Sequence, residues 1–561
     1  MVAHLSKILN ECNNADGALA CALAIDGITL LCKFEVIDAV TTWATLAPMF
    51  KSENRIPVIK SLCSLISEIP NLSYTEAYPK LIEEVVSKLW EYTILNPDKE
   101  VGEAALNALT SFSVEQIMAQ MPDEYLNEET LTSNKSRDVI PGQCWLHFLK
   151  NCDARKLEVA GDFLIKMVAL EISNYLKFVY QVKGTREPTD YSYLPTNSVV
   201  RGISTYIKSK MFKWKGSVYK EVYLQCLRIF SQEYSKPLPP LDWCFLQELV
   251  HEPEAKNFCI NIASHQVVLS GTARRFMVNY IEAIIENHTN ENDVLIIYSN
   301  LKHLANSVQP FTLKPFLELT IYHAVELFKN DNEEQLLTIL KHLKATLNDE
   351  TIQESNKIVI AQIISSVVDD IDISSKLFEV LLECIILFPV KCIADLSSPK
   401  SVKEVRVQWL KKAIKIRCHV ALYNNDTPLN WLNELMEIGS SFPGVTTFMF
   451  EQFALVFQKH KDNTECVLWV LELIGQIQAV IADKSEEKEI LFLCNIFILA
   501  TIAFSGHFVL LQDFSSCEEM YRLFPRAVAT LLEVNHWSIC TTQVGHLSIQ
   551  YIFTRLHIFR L

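Results

Sequence analysis

The sequence predicts an all-α fold, a HEAT/armadillo-like helical repeat solenoid. Three observations carry this expectation. Only 14 glycines occur in 561 residues, and none lies between Gly271 and Gly439. Hairpin turns, phosphate loops and nucleophile elbows use glycine freely, because glycine alone accepts positive φ without penalty. Apolar residues recur at helical spacing through almost the whole chain, with short polar breaks between stretches. Beyond residue 243 the breaks at 289–293, 329–333, 348–354, 395–401, 423–428 and 440–444 give major spacings of roughly 35–50 residues, the size of a helix pair.

Composition agrees. At 561 residues the chain exceeds what one compact core usually holds, so the core is divided or extended. Hydrophobic residues make up 49% and the mean hydropathy is +0.14; a stack of helix pairs explains this, since inner helices are covered on most sides. The net charge of -15 makes a poor generic ligand for nucleic acid. The 16 cysteines contain no C-x-x-C. Cys21, Cys32, Cys226, Cys384 and Cys466 sit at apolar helical positions, as reduced core thiols do, which argues against a disulfide framework. The opening MVAHLSKILNEC has neither the long apolar region of a signal peptide nor an Arg-rich transit character.

In chain order, residues 1–120 read as about six helix-forming segments. The clearest runs from Asp98 to Phe112. Asp98 follows Pro97 and can cap the first turn. Val101, Ala105, Ala108, Leu109 and Phe112 then share one face, and the alanines allow close approach of a neighbour. This pattern resembles the second helix of a HEAT repeat. Residues 121–141 are polar and acidic and read as a linker. Helical segments resume at Cys144 and continue to 235, with a long loop near 183–200. Lys236-Pro237-Leu238-Pro239-Pro240-Leu241-Asp242-Trp243 is a rigid connection, since proline fixes φ and blocks helix; Asp242 can cap the helix near Trp243. Residues 236–538 form a long helical-repeat region, and 539–561 a divergent tail. Ile490 to Gln512 carries no charge, and about 23 helical residues could span a bilayer. Asn495, Ser505, His507 and Gln512 interrupt the stretch, so a buried helix covered by Val467 to Ile481 is the preferred reading.

Five segments occur in an order similar to the focadhesin family: RIPVIKSLCSLISEIPNL (55–72), PGQCWLHFL (141–149), KPLPPLDW (236–243), CVLWVLELIGQI (466–477) and EEMYRLFPRAVATLLEVNHW (518–537). The resemblance covers about residues 1–538 and looks like the C-terminal portion of a longer protein; the tail at 546–561 departs from the pattern. It implies helical repeats, a cytoplasmic or focal-adhesion setting, and protein binding rather than catalysis. It also implies vinculin as a partner, and the superkiller helicase complex that feeds RNA to the exosome. No catalytic motif comes with it.

The residues agree on the last point. No G-x-x-x-x-G-K, G-x-G-x-x-G or G-x-S-x-G occurs, and no cofactor is expected. His251-Glu252 begins like a zincin helix, but Ala255 stands where the second ligand belongs. Adjacent Cys418-His419 cannot share a helical face, and the pair Cys144 and Cys152 is too few for zinc. Two basic surfaces are candidate partner-binding sites. In one, Lys208, Lys210, Lys213 and Lys215 interleave with Phe212 and Trp214, and Lys220 extends the run. This mix can hold phosphate and stack bases, though a helix burying both rings is the plainer reading. The other runs through Lys403, Arg406, Lys411, Lys412, Lys415 and Arg417, with Val402, Val405, Trp409, Ala413 and Ile416 turned inward, as in an ordinary amphipathic helix with a cationic exterior. The acidic linker, with Asp123, Glu124, Glu128 and Glu129, is a third candidate or a solubilising loop. Trp243 follows prolines, but Leu246 and Val250 place it on a buried helix face instead of in an SH3 ligand. The sequence therefore predicts a non-enzymatic scaffold for protein partners. The alternatives are membrane association through 490–512 and an RNA-contacting adaptor through 208–220.

Overall fold

The structure is a computed structural model. It describes residues 2–537 apart from 13, 72–77, 96–97, 127–141, 175–192, 217–218, 288–290, 331, 399–405, 424–428, 461–464, 484–485, 511–516 and 535–536. Among these residues every regular element is helical and no strand occurs, so the chain is an all-α helical-repeat protein. It divides into two compact units, Met1–Tyr280 and Ile281–Leu561.

The first unit begins with α1 (Val2–Glu11), α2 (Ala18–Lys33), α3 (Ala39–Met49), α4 (Ile56–Glu68), α5 (Tyr78–Leu95), α6 (Lys99–Leu109) and α7 (Val114–Ala119). It continues with α8 (Cys144–Asn151), α9 (Leu157–Asn174), α10 (Val199–Lys210), α11 (Lys220–Phe230), α12 (Leu246–Leu249) and α13 (Pro253–Gln266), and α14 (Gly271–Asn287) carries the division. The second unit holds α15 (Glu291–Ser299), α16 (Leu301–Ser307), α17 (Pro310–Lys329), α18 (Glu334–Leu347), α19 (Glu354–Val367), α20 (Lys376–Ile385) and α21 (Val390–Ser397). It ends with α22 (Val407–Tyr423), α23 (Asn433–Gly439), α24 (Thr446–Lys459), α25 (Glu465–Ala482), α26 (Glu487–Phe504) and α27 (Cys517–Leu532).

The helix expected at 98–112 shows how local signals become packing. Asp98 is extended and its carboxylate accepts from Glu100 N, closing the first turn of α6. Val101, Ala105, Ala108, Leu109 and Phe112 are all buried. On that face α4 packs on α6, as α2 packs on α4. The file continues through α9, α11 and α13. In the second unit a matching file runs α16, α18, α20, α22, α24, α26, beside a second file of α17, α19 and α21. Each helix thus buries its apolar stripe on the next of its own file, the mark of a repeat stack.

Polar ties between layers repeat at the same period. Lys33 to Glu68, Lys60 to Glu100, Lys220 to Glu254 and Lys344 to Glu383 join residues 35, 40, 34 and 39 apart. Trp469 Nε1 donates to Asn433 Oδ1 across 36 residues.

The uncharged stretch at 490–512 is a core helix through Phe504, a short turn follows at His507–Leu510, and 511–512 lie outside the described residues. Phe492 to Phe504 are buried on every side of α26, and α24, α25 and α27 pack on it. Tyr521 donates to Asn495 Oδ1, and Gly506 turns the chain away at a φ of 79°. Among the described residues no helix is long and apolar enough to cross a membrane. Trp243 is also core, 1% exposed and edge-on to Phe230. Asp242 accepts from Cys244 N and so closes the turn that leads into α12. Residues 121–126, assigned to the linker by sequence, begin with a packed turn in which Met121 and Tyr125 are buried; 127–141, 183–192 and the tail at 539–561 lie outside the described residues.

At the start of α10 two constraints meet. Gly142 and Gly202 permit backbone contact: a Cβ on Gly202 would sit 2.5 Å from Gly142 O. Beside them the buried carboxylate of Glu171, on α9, accepts from Ser198 Oγ, Val199 N and Val200 N. Burial pushes this carboxyl up from 4.5 to about 7, against the pull of those three donors. Because the folded state retains a proton that the unfolded chain releases, the stability contribution is full below pH 4.5 and is lost as pH rises through about 7. Urea titrations across that window should show a stability loss of about 3 kcal/mol in the native chain and a flatter profile in Glu171→Gln.

Candidate partner-binding surfaces

The basic-aromatic stretch closes α10 and turns into α11. Lys208 Nζ lies 3.1 Å from Asp242 Oδ2, Lys215 Nζ 2.8 Å from Glu252 Oε1, and Lys220 Nζ 2.8 Å from Glu254 Oε1. Lys210 sits 4.5 Å above the Tyr219 ring. Partial burial pushes the Asp242 carboxyl up, but the hydrogen bonds from Cys244 and Lys208 outweigh it and hold the group below the usual range. Acids from the 242–254 segment thus neutralise much of the charge that the sequence places here. The rings divide: Trp214 is buried and stacked on Tyr223, whereas Phe212 is 84% exposed beside exposed Lys213. The expectation that both rings pack inward is corrected for Phe212, which lies in the turn after α10 and has no helix face to join.

The second basic surface lies on α22. Lys403, Val402 and Val405 fall outside the described residues, and Arg406 is exposed. Lys411 sits 5.8 Å above Phe448. Lys412 Nζ donates to Val368 O at 2.9 Å and Asp369 O at 2.8 Å. Burial pushes its ammonium below the ordinary lysine range. Lys415 donates to Ile373 O at 3.2 Å and lies 5.6 Å above Phe378. These three side chains are half-buried and tie α22 to neighbouring segments. Ala413 and Ile416 are buried as expected, and Trp409 is half-buried.

Arg417 overturns the cationic-exterior reading at its own position. It is 1% exposed, and its guanidinium donates to Ser397 Oγ (2.8 Å), Trp431 O (2.6 Å), Ser398 Oγ (2.8 Å) and Glu434 Oε2 (2.6 Å). An arginine between Ile416 and Cys418, in a helix buried on most sides, must find internal acceptors. In the acidic segment, Asp123 and Glu124 belong to the packed turn, while Glu128 and Glu129 lie outside the described residues.

Glu252 is taken by Lys215 and Ala255 is fully buried. Burial pushes the Cys144 thiol up to about 12 and the Cys418 thiol up as well, which disfavours the thiolate a metal requires. Among the described residues no three His, Cys, Asp or Glu side chains converge to hold a metal.

One surface escaped the sequence reading. Leu19, Leu23, Leu30 and Phe34, at the outer face of α2 and just beyond it, are 70%, 69%, 55% and 74% exposed. The signal was present, because ALACALAIDGITLLCK is apolar nearly all round, and such a helix needs cover on every side.

Comparison with known proteins decides the family. A family profile described as Focadhesin matches residues 175–516, more than half of the chain. The chain belongs to the focadhesin family. A second profile, described as Focadhesin/RST1, DUF3730, matches residues 1–109. Human Focadhesin is 31% identical over 190 residues, covering 32% of this chain and 10% of that protein. Mouse Focadhesin is 32% identical over 187 residues, with the same coverage of 32% and 10%. The zebrafish (Danio rerio) protein is 27% identical over 195 residues, covering 32% and 11%. The matched stretch therefore spans about a tenth of the length of these curated focadhesin relatives. A solved structure from work on the interaction between cadherin and beta-catenin aligns over 97% of this chain and 99% of its own, at 10% identity and a TM-score of 0.27, too low to show a shared fold.

The different settings of the cations in this focadhesin-family chain give a direct test. Arg417→Met should destabilise the second unit by about 3–5 kcal/mol, because it leaves buried acceptors unpaired. Lys213→Ala should change stability by no more than about 0.5 kcal/mol. Urea denaturation of each variant measures both.

Proposed function

We propose that this chain is a non-enzymatic scaffold of the cytosol that presents stacked helices to protein partners. The observation that carries the reading is the apolar face of α2. Four large apolar side chains, each more than half exposed, stand on or beside the first helix of the α2–α4–α6 file. A contiguous apolar patch of this kind marks an interaction surface. The mechanism is presentation: stacked neighbours hold such faces and grooves in fixed register, and partners lay helices or loops on them. The resemblance noted in the sequence implies two settings, maintenance of the superkiller complex in RNA degradation by the exosome, and contact with vinculin at focal adhesions. The RNA-adaptor reading is weaker, because Lys208, Lys215 and Lys220 already face carboxylates and phosphate binding needs uncommitted cations.

Affinity capture from cytosol tests the proposal, with a full-length family member as the positive control. The intact chain should retain superkiller components or vinculin. Leu23→Asp combined with Leu30→Asp should reduce that capture while far-UV circular dichroism stays helical. Capture of neither partner by the intact chain, while the control captures them, would overturn the reading.

A further inference from the structure

The second unit contains a cleft between α23, α25 and α26 that the basic surfaces and the α2 face do not involve. Its cavity measures about 380 Å³, with Met436, Glu437, Ala479, Val480, Glu489 and Leu493 among its walls. Space of that size equals roughly a dozen waters at about 30 Å³ each, and sits at the low end of ligand pockets, about 300–1,000 Å³. Met436 and Leu493 are buried and Val480 is half-buried, so they present an apolar floor. Ala479 is exposed and short, which leaves the α25 wall open.

The rim is acidic. Glu437 is exposed and Glu489 half-buried, and among the described residues neither carboxylate has an ion-pair or hydrogen-bond partner for its side chain. Arg417, a buried cation on neighbouring α22, is committed to Glu434. A purely apolar side chain entering this cleft would strip water from two carboxylates and return nothing to them. An acidic one would be repelled. An arginine satisfies both parts of the site. Its aliphatic stem lies along apolar walls, and its planar fork offers donors to carboxylates.

We propose that this cleft is a docking pocket for an arginine side chain carried on a helix or loop of a protein partner. The inference rests on the scaffold reading and deepens it by naming a site and the chemistry that fills it. The net charge of -15 favours approach of a basic segment to this chain.

The test titrates the intact chain with the capped peptide Ala-Leu-Ala-Arg-Ala-Leu-Ala and with the same peptide carrying glutamate at its centre, by isothermal calorimetry. The arginine peptide should bind once per chain, with affinity falling as salt rises. Glu437→Gln combined with Glu489→Gln should weaken binding by about tenfold or more, since hydrogen bonds to charged groups are lost. Ala479→Leu, which narrows the cleft and leaves both acids in place, should weaken it as well. No saturable binding of the arginine peptide, equal binding of the glutamate peptide, or full binding by the double variant would each overturn the assignment. Failed peptide binding with partner capture intact ends this pocket alone. Loss of all capture by the native chain ends the scaffold reading and the pocket with it.

Discussion

Every helix in this chain depends on its neighbour in the stack to bury an apolar stripe that it cannot bury alone. Isolated helices of this length are marginal in water, so the α2–α4–α6–α9 and α18–α20–α22–α24–α26 files exist because each member covers the next. The energetic weights differ by kind. A buried Leu or Phe contributes about 1.5–3 kcal/mol, whereas an exposed pair such as Lys60 and Glu100 contributes about 0–1 kcal/mol. The cross-layer ion pairs follow from the stacking and report its period; they do not cause it.

Buried polar groups have a different role. Arg417 joins the end of α21, the turn before α23 and α23 itself through four donors. Lys156 reaches Thr93 O from a site 5% exposed, with its stem packed against Gly102. His460 Nε2 meets Ala421 O at 2.8 Å. Each has directional partners in a neighbouring segment, so sliding one helix along another would leave a buried group unsatisfied. Apolar stripes drive the stacking, and these contacts fix the register in which it occurs.

That division explains what could be read from the sequence. Helix content, the Asp98 cap, the burial of Trp243 and the core position of 490–504 depend on local periodicity and capping, which the sequence carries directly. The repeat period was visible in the polar breaks and recurs in the 34- to 40-residue separations of the cross-layer pairs. The surfaces were less legible. Lys412 and Arg417 occupy basic positions on a helix that reads as amphipathic, yet their partners lie 44 and 14 to 20 residues away. Contacts across layers depend on which helix becomes the neighbour, and one helix's pattern does not specify that. The same limit hid the exposed face of α2, whose residues look like core because they are apolar.

The most direct test of nearest-neighbour stacking is native-state hydrogen exchange on Phe457→Ala. Phe457 is fully buried, with ring centroids 4.9 Å from Trp469 and 5.4 Å from Phe504, so its loss removes a contact shared by α24, α25 and α26. Stacking predicts faster amide exchange in α22 through α27 and unchanged protection in α2 through α6. An equal loss of protection in both sets of helices would contradict it.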